Sequence, residues 1–280
     1  MTVLIPHSLN EAVQMLAETS DAHLLTGGTD MMVEVNFNHR RPSNVISLGR
    51  VPELSRWSVD TSTQTVFIGA SVPYADMEHG ELAVALPALA AAARTVGSPQ
   101  IRAAGSLGGN LGTCSPAGDS LPVLAAMNAA IHLHSVEGER IVPFSDFMTG
   151  PKKNSCGSHE IITGVTLPIS NGWQGYSKVG VRNAMVISVA SCCLAWQDNM
   201  VLVALGSVGP IIIRCYDTEQ WLNAQKLSSQ TSITTELAQE FGRRAAIEAR
   251  PIDDHRSTAE YRKHAISVLA KRLLQRGTQQ

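Results

Sequence analysis

The chain has 280 residues, which against a prior of roughly 150 residues per domain predicts two units that each bury a core and excludes a disulfide-stapled miniprotein. Apolar residues make up 44%, charged residues 16% and aromatics only 5%, so this is no disordered chain, and its core rests on Ala, Val, Leu and Ile. Lys plus Arg total 22 against 24 for Asp plus Glu, a formal charge of -2; no segment mixes basic with aromatic residues, so nucleic acid is not an expected partner.

Met1 to Asn10 carries no basic region ahead of an apolar one, so no secretory signal is expected and a cytoplasmic location is. Ser8-Leu9-Asn10-Glu11 is a capping box, and Ala12, Met15 and Leu16 behind it predict a helix ending near Ser20. His23 to Thr26 reads as a strand running into Gly27-Gly28, with further strands over Asn44 to Leu48 and Val66 to Ala70. Tyr74 to Val96 predicts two consecutive helices, the second with Pro87 in its first turn. The run Gly105 to Gly112 reads as a glycine-dense loop, and a helix over Ala117 to Met127 is expected after it with Asp119 in its first turn. Ala130 to Ser135 and Arg140 to Pro143 form a predicted hairpin around Glu137-Gly138, and Ile161 to Leu167 is a further strand.

The composition shifts at Pro168 to Gly175, which predicts a boundary: residues 1–170 in one domain (subdomains about 1–54 and 55–170) and 171–280 in another. Tyr176 to Val181, Val186 to Trp196 and Val201 to Val208 predict three consecutive strands. Three helices follow, over Thr218 to Ala224, Thr234 to Ala249 and Thr258 to Gln275, with a frayed Gln279-Gln280 end. The second domain is therefore α+β. The longest apolar stretch, Met200 to Ile213, is broken by Gly206, Gly209 and Pro210 and is shorter than the roughly 20 residues of a membrane span. Cys114, Cys156, Cys192, Cys193 and Cys215 form no C-x-x-C pair, so neither a disulfide framework nor a zinc knuckle is expected. Adjacent Cys192 and Cys193 read as core filler.

Two glycine clusters dominate the first domain, Thr26-Gly27-Gly28-Thr29-Asp30 and Gly105 to Gly112. Consecutive glycines let a backbone turn sharply and present several N–H groups to one anion, for which a diphosphate is a natural ligand. Neither cluster is a Rossmann fingerprint or a nucleoside-triphosphate loop, so another dinucleotide fold is required. Asp119 reads either as a helix-dipole partner or as an acceptor for a ribose hydroxyl. His132 and His134 share a strand face without a third ligand, so no metal site is expected. No nucleophile–base arrangement and no suggestive carboxylate pair stands out, so no side chain is assigned as catalytic and the reactive centre is expected to come from a cofactor.

Leu24-Leu25-Thr26-Gly27-Gly28-Thr29-Asp30, followed by Pro99-Gln100-Ile101-Arg102, Ser106-Leu107-Gly108-Gly109-Asn110 and Ser115-Pro116-Ala117-Gly118-Asp119, resembles the FAD-binding (medium) subunit of the molybdenum hydroxylases, above all the bacterial xanthine dehydrogenase FAD-binding subunit. The likeness continues through Thr149-Gly150-Pro151-Lys152-Lys153, Glu160-Ile161-Ile162 and Lys178 to Val189. It implies an α+β chain: an FAD-binding domain of vanillyl-alcohol-oxidase (PCMH) type made of two α/β subdomains, then a domain like that of carbon monoxide dehydrogenase flavoproteins, a three-stranded antiparallel sheet with helices. It further implies that Leu24, Leu25, Thr26, Gly27, Gly28, Thr29, Asp30 and Met31, with Ser106, Leu107, Gly108, Gly109 and Asn110, hold the FAD diphosphate largely through backbone amides. Asp119 would bind the ribityl or ribose side, Ile162 would pack on the flavin, and Lys178 would sit near the cofactor. At the position aligned with Val96, where eukaryotic relatives place an aromatic on the flavin, this chain has none between Tyr74 and Phe144.

The implied function is electron transfer within a heterotrimer of xanthine dehydrogenase type, active in purine metabolism. A molybdenum-cofactor large subunit and a [2Fe-2S] small subunit would deliver electrons to this FAD, whose N5 passes a hydride to NAD+. Two other readings stay open. One is a free-standing reductase of the enolpyruvyl sugar nucleotide type, for which Arg243, Arg244 and Arg250 offer a phosphate cluster; the other is a flavin-free assembly scaffold.

Overall fold

The structure, a computed structural model, describes residues 1–227 and 232–278; the Gln279-Gln280 end expected to fray lies outside them. β1 (Thr2–Leu4) precedes α1 (Leu9–Glu18), whose first turn is held where Ser8 Oγ accepts the Glu11 N–H at 3.1 Å. The Glu11 carboxylate reaches back to the His7 N–H at 2.6 Å, so the capping box closes one residue ahead of the cap itself. β2 (Ala22–Leu25), α2 (Met31–Asn36) and β3 (Asn44–Ser47) follow. The three strands make a parallel sheet in the order β1-β3-β2, covered by Ala12, Val13 and Leu16 of α1. Neither β1 nor α2 was expected, because each is too short to show a hydrophobic period.

β4 (Trp57–Asp60) and β5 (Thr65–Gly69) form a hairpin. The two helices expected over Tyr74 to Val96 are three pieces, α3 (Tyr74–Met77), α4 (Gly80–Ala85) and α5 (Pro87–Thr95), with Pro87 in the first turn of the last. α6 (Pro99–Ala104) and α7 (Leu107–Thr113) come next. The glycine run expected as a loop is therefore largely helix. Ser106 Oγ caps α7 by accepting the Gly109 N–H at 3.1 Å, and Leu107 and Leu111 are buried on one face. That burial outweighs the helix penalty of about 1 kcal/mol per glycine. α8 (Leu121–Ala126) starts four residues later than expected, because a turn closed by Gly118 N–H to Ser115 C=O at 2.9 Å precedes it. Asp119 accordingly stands ahead of the helix and not in its first turn.

β6 (Ala130–Ser135) and β7 (Gly138–Pro143) are the expected hairpin. After α9 (Phe144–Phe147) and the ribbon of β8 (Met148–Gly150) with β9 (Lys153–Asn154), β10 (Ile161–Pro168) takes the centre of an antiparallel sheet ordered β4-β5-β10-β6-β7. β11 (Gln174–Val179), β12 (Ala190–Gln197), β13 (Met200–Gly206) and β14 (Ile213–Arg214) form a four-stranded antiparallel sheet, one short strand more than expected. The strand expected from Val186 begins only at Ala190, since residues 180–189 form a loop. α10 (Tyr216–Asn223), α11 (Thr235–Glu248) and α12 (Ala259–Gly277) close the chain, the last two capped by Thr234 and Thr258.

Both faces of this last sheet are covered, which is why β12 is buried from Ala190 to Trp196. Cys193 and Ala195 join the core that holds Ala88 and Leu124. Cys192 and Leu194 face Phe241, Ile266 and Leu274 on the other side. The two cysteines thus point to opposite faces as filler, and burial pushes the Cys193 thiol up to about 12.

Arg214 pins this sheet to α8. Its Nη1 donates to Ala125 C=O at 2.7 Å and Asn128 Oδ1 at 2.8 Å, and its Nε and Nη2 reach the buried Glu219 carboxylate, which also accepts the Val203 N–H at 2.6 Å. Burial raises the Glu219 carboxyl above its ordinary range despite Arg214 beside it. Arg214→Met therefore leaves a buried carboxylate without its cation and should cost about 3–5 kcal/mol in urea unfolding at neutral pH. Without Arg214 the folded chain holds the Glu219 proton more tightly than the unfolded one, so stability is gained as pH falls and the deficit should shrink toward pH ~5. A deficit independent of pH would contradict this account.

Candidate cofactor site

The two glycine clusters lie side by side. β2 delivers Thr26 to Asp30 to the edge of α6 and α7, and the approach is so close that a Cβ on Gly27 would lie 1.7 Å from the Ala104 carbonyl oxygen and 3.2 Å from the Gly105 nitrogen. Gly28 has φ +70, a left-handed conformation that favours glycine. Among the described residues, no N–H from Thr26 to Met31 finds a protein acceptor. Gly27 and Asp30 are exposed and the other four half-buried, so this uninterrupted row of free donors is accessible to an anion and suited to cradle one.

The second cluster contributes differently. The Gly108 N–H is bound to Ala70 C=O at 2.9 Å, Gly109 N–H to Ser106 Oγ and Asn110 N–H to Ser106 C=O at 3.1 Å. Gly108 is required by packing, since its Cβ would lie 2.5 Å from the Ala70 Cβ. Exposed Gly109 borders open space apart from Ser106 Oγ. The Asn110 side chain is turned by Ser120, whose Oγ donates to Oδ1 at 2.7 Å and lies 3.2 Å from the Tyr74 hydroxyl. Asn110 Nδ2 thereby keeps its protons free of protein acceptors among the described residues.

One residue beyond Ser120's partner network stands Asp119, where the two halves of the chain meet. Its Oδ1 accepts from the Tyr176 hydroxyl at 2.9 Å and the Ser188 hydroxyl at 2.5 Å; its Oδ2 accepts from Lys178 Nζ at 2.6 Å and lies 3.2 Å from Thr95 Oγ1. Thr95 has one hydroxyl proton, and Ala92 C=O is closer to it at 2.7 Å. Asp119 Oδ2 therefore retains an acceptor position. Lys178 has none to give: its other two protons go to Thr95 C=O at 2.8 Å and Val186 C=O at 3.0 Å. The pair is 8% and 9% exposed, and burial followed by the Asp119 charge pushes the Tyr176 phenol well above its ordinary range. Thr95, Tyr176, Ser188 and Ser120 were not anticipated. Tyr176 and Lys178 stand two apart on one strand, a period-two pair of polar tips on one face that marks them in retrospect.

The chain matches two family models, "FAD binding domain in molybdopterin dehydrogenase" over residues 1–170 and "CO dehydrogenase flavoprotein C-terminal domain" over residues 176–276. It belongs to this family of FAD-binding molybdenum hydroxylase subunits. It is 32% identical to the nicotine 6-hydroxylase medium subunit of Paenarthrobacter nicotinovorans, over 96% of this chain and 94% of that one. Against the xanthine dehydrogenase FAD-binding subunit of Escherichia coli O157:H7 it is 28% identical over 95% and 92%. A carbon monoxide dehydrogenase chain of Hydrogenophaga pseudoflava superposes with a TM-score of 0.88 at 26% identity, covering 99% of this chain and 96% of that one. Quinoline 2-oxidoreductase from Pseudomonas putida 86 shares the fold, with a TM-score of 0.90 at 22% identity over 100% and 97%.

FAD is the cofactor of this family, and the residues present fit a dinucleotide diphosphate: free backbone donors on one side and an oriented carboxamide on the other. Of the remaining site candidates, Leu24 packs on the α1 core while Leu25 borders Gly28. Ile162 is half-buried beside a bulge in β10. Asp30 Oδ2 accepts from Thr113 Oγ1 at 3.2 Å and so faces α7. Val96 is half-buried at the end of α5, packed on the core. His132 is engaged by Thr166 and His134 by Glu139. Arg243 and Arg244, offered for a sugar-nucleotide phosphate, both turn to Glu240.

Gly27→Ala tests the cradle. The added methyl cannot coexist with the Ala104 carbonyl, so the first loop must move off the second and the row of donors with it. FAD affinity should fall at least about tenfold, equivalent to about 1.4 kcal/mol, in a titration followed by flavin fluorescence, while far-UV circular dichroism stays that of the folded chain. Unchanged affinity would show that the contact of the two loops is not what holds the diphosphate.

Proposed function

We propose that this chain is the FAD-carrying electron-transfer subunit of a heterotrimeric, cytoplasmic molybdenum hydroxylase of xanthine dehydrogenase type. A molybdenum-cofactor large subunit oxidises the substrate, a purine in this reading, a [2Fe-2S] small subunit relays the electrons, and NAD+ is the acceptor. The observation that carries the proposal is the uninterrupted row of free backbone donors from Thr26 to Met31, set against the second glycine cluster. Bound FAD supplies exchange between one-electron and two-electron transfer, with hydride donation at flavin N5.

The chain's own residues bind and orient. Backbone N–H groups of Thr26 to Met31 neutralise the diphosphate without presenting a fixed cation, and Asn110, steered by Ser120, donates from the facing side. Asp119 Oδ2 offers its remaining acceptor position to a ribityl or ribose hydroxyl. Ile162 provides an aliphatic surface for the ring, and with Val96 in the aligned position no aromatic stacks from α5. Lys178 acts by position: with its protons committed to Asp119, Thr95 and Val186, it holds the carboxylate and the loop 180–189 in place.

Purification of the native complex with its co-purifying chains, followed by anaerobic addition of NADH or hypoxanthine, tests this reading. NADH should bleach the flavin absorbance directly, and hypoxanthine should bleach it through the partner chains. Bleaching by hypoxanthine alone would exclude NAD+ as acceptor. Bleaching by neither would defeat the proposal.

A further inference from the structure

We propose that the exposed face of α2 and the basic turn after it form the docking surface for the iron–sulfur chain of the complex. The inference rests on the electron-transfer reading above and names the partner surface that reading requires. α2 has no buried residue, and its Met32, Val33 and the following Phe37 are 45%, 50% and 70% exposed. Phe37 stacks on His39 with ring centroids 6.1 Å apart, so the apolar patch is ordered into the turn. Contiguous apolar surface on a helix with nothing beneath it to pack against marks an interaction site.

The rim of the patch is cationic. Arg40 and Arg41 stand in the turn, and Lys152 approaches from the turn between β8 and β9. Glu34 is already spent: Arg40 Nε is 3.0 Å from one oxygen and Lys152 Nζ 3.2 Å from the other. The hydrogen bond from Lys152, more than the charge of Arg40, holds its carboxyl below the ordinary range. The neighbouring Asp30 carboxylate is turned to Thr113. A partner here must therefore bring apolar contact and negative charge. A [2Fe-2S] centre held by four thiolates is itself anionic, because two ferric ions do not offset two sulfides and four thiolates, so a face that presents such a centre complements this rim.

The patch also adjoins the candidate site. α2 begins at Met31, the last residue of the free donor row, and a Cβ on Gly28 would lie 3.3 Å from Met32 Cγ. A chain seated on α2 thus abuts the loop that carries the candidate diphosphate cradle, and the charge of the rim is what favours the iron–sulfur chain as its occupant. Exposed aromatic and aliphatic anchors supply the affinity, and Arg40, Arg41 and Lys152 steer the encounter.

Two variants of the native complex, Phe37→Asp and the double Arg40→Glu/Arg41→Glu, test the surface, with Ile247→Asp on α11 as an exposed apolar control. Native mass spectrometry at low and moderate salt reads which chains remain, and flavin absorbance reads FAD per chain. Each α2 variant should keep the wild-type FAD ratio yet lose the iron–sulfur chain at least about tenfold more readily. Wild-type retention should weaken with salt, that of the charge-reversed variant much less. The control should stay intact. Retention of the iron–sulfur chain by both variants, or selective loss of the molybdenum chain instead, would overturn the docking proposal. A wild-type complex without flavin would defeat the functional reading whatever the chains do. Because Arg40 and Arg41 are exposed and outside helices and strands, their reversal keeps the test decisive even if Phe37→Asp fails to fold.

Discussion

The contact between Gly27 and the Ala104 carbonyl governs the rest of this molecule. A loop leaving a parallel strand and the end of a short helix meet with no room for a methyl group between them, and in that arrangement the backbone from Thr26 to Met31 keeps its donors to itself. None of these residues is fully buried, so water can serve the donors when no ligand is bound. A bound anion takes the place of that water as acceptor. The site is therefore built from the absence of side chains, and its specificity lies in the shape of the main chain.

The second constraint is where the two halves are joined. Asp119 takes hydrogen bonds from Tyr176, Ser188 and Lys178 of the later segment, one residue before Ser120, which orients Asn110 at the cofactor cleft. The same carboxylate thus ties the last sheet to the first part of the chain, next in sequence to the residue that orients Asn110. A shift of β11 relative to α5 cannot occur without disturbing Asp119, and a disturbed Asp119 moves the turn that carries Ser120. Arg214, reaching from β14 to the end of α8, holds the other end of that short helix. α8 is fixed at both ends by the later sheet, which makes the geometry of the cofactor side depend on residues far along the chain.

How much of this is legible in the sequence depends on the length of the signal. Local chemistry reads well: Ser8, Thr234 and Thr258 cap their helices, Pro87 opens α5, and β6 and β7 pair around a two-residue turn. Elements shorter than a hydrophobic period do not read, which is why β1, α2 and β14 go unseen. The glycine run misleads in a specific way. Glycine has low helix propensity, yet Gly108 stands in α7 because Ala70 leaves no space for a side chain, a tertiary demand that no local scale contains. The candidate site is legible as composition, two clusters of glycine, and illegible as geometry: nothing local says that Gly27 and Ala104 touch, or that Lys178 spends every proton on the protein.

That last point bears on how a site of this kind is tuned. The family resemblance puts Lys178 near the cofactor, but its three protons hold Asp119, Thr95 and the loop after β11. Its positive charge is answered by the Asp119 carboxylate 2.6 Å away, so the buried pair stands as an oriented dipole and not as a free cation. Lys178 thereby acts on the geometry of Asp119 and of the loop after β11, while the candidate cradle rests on backbone amides whose placement depends on Gly27 having no side chain.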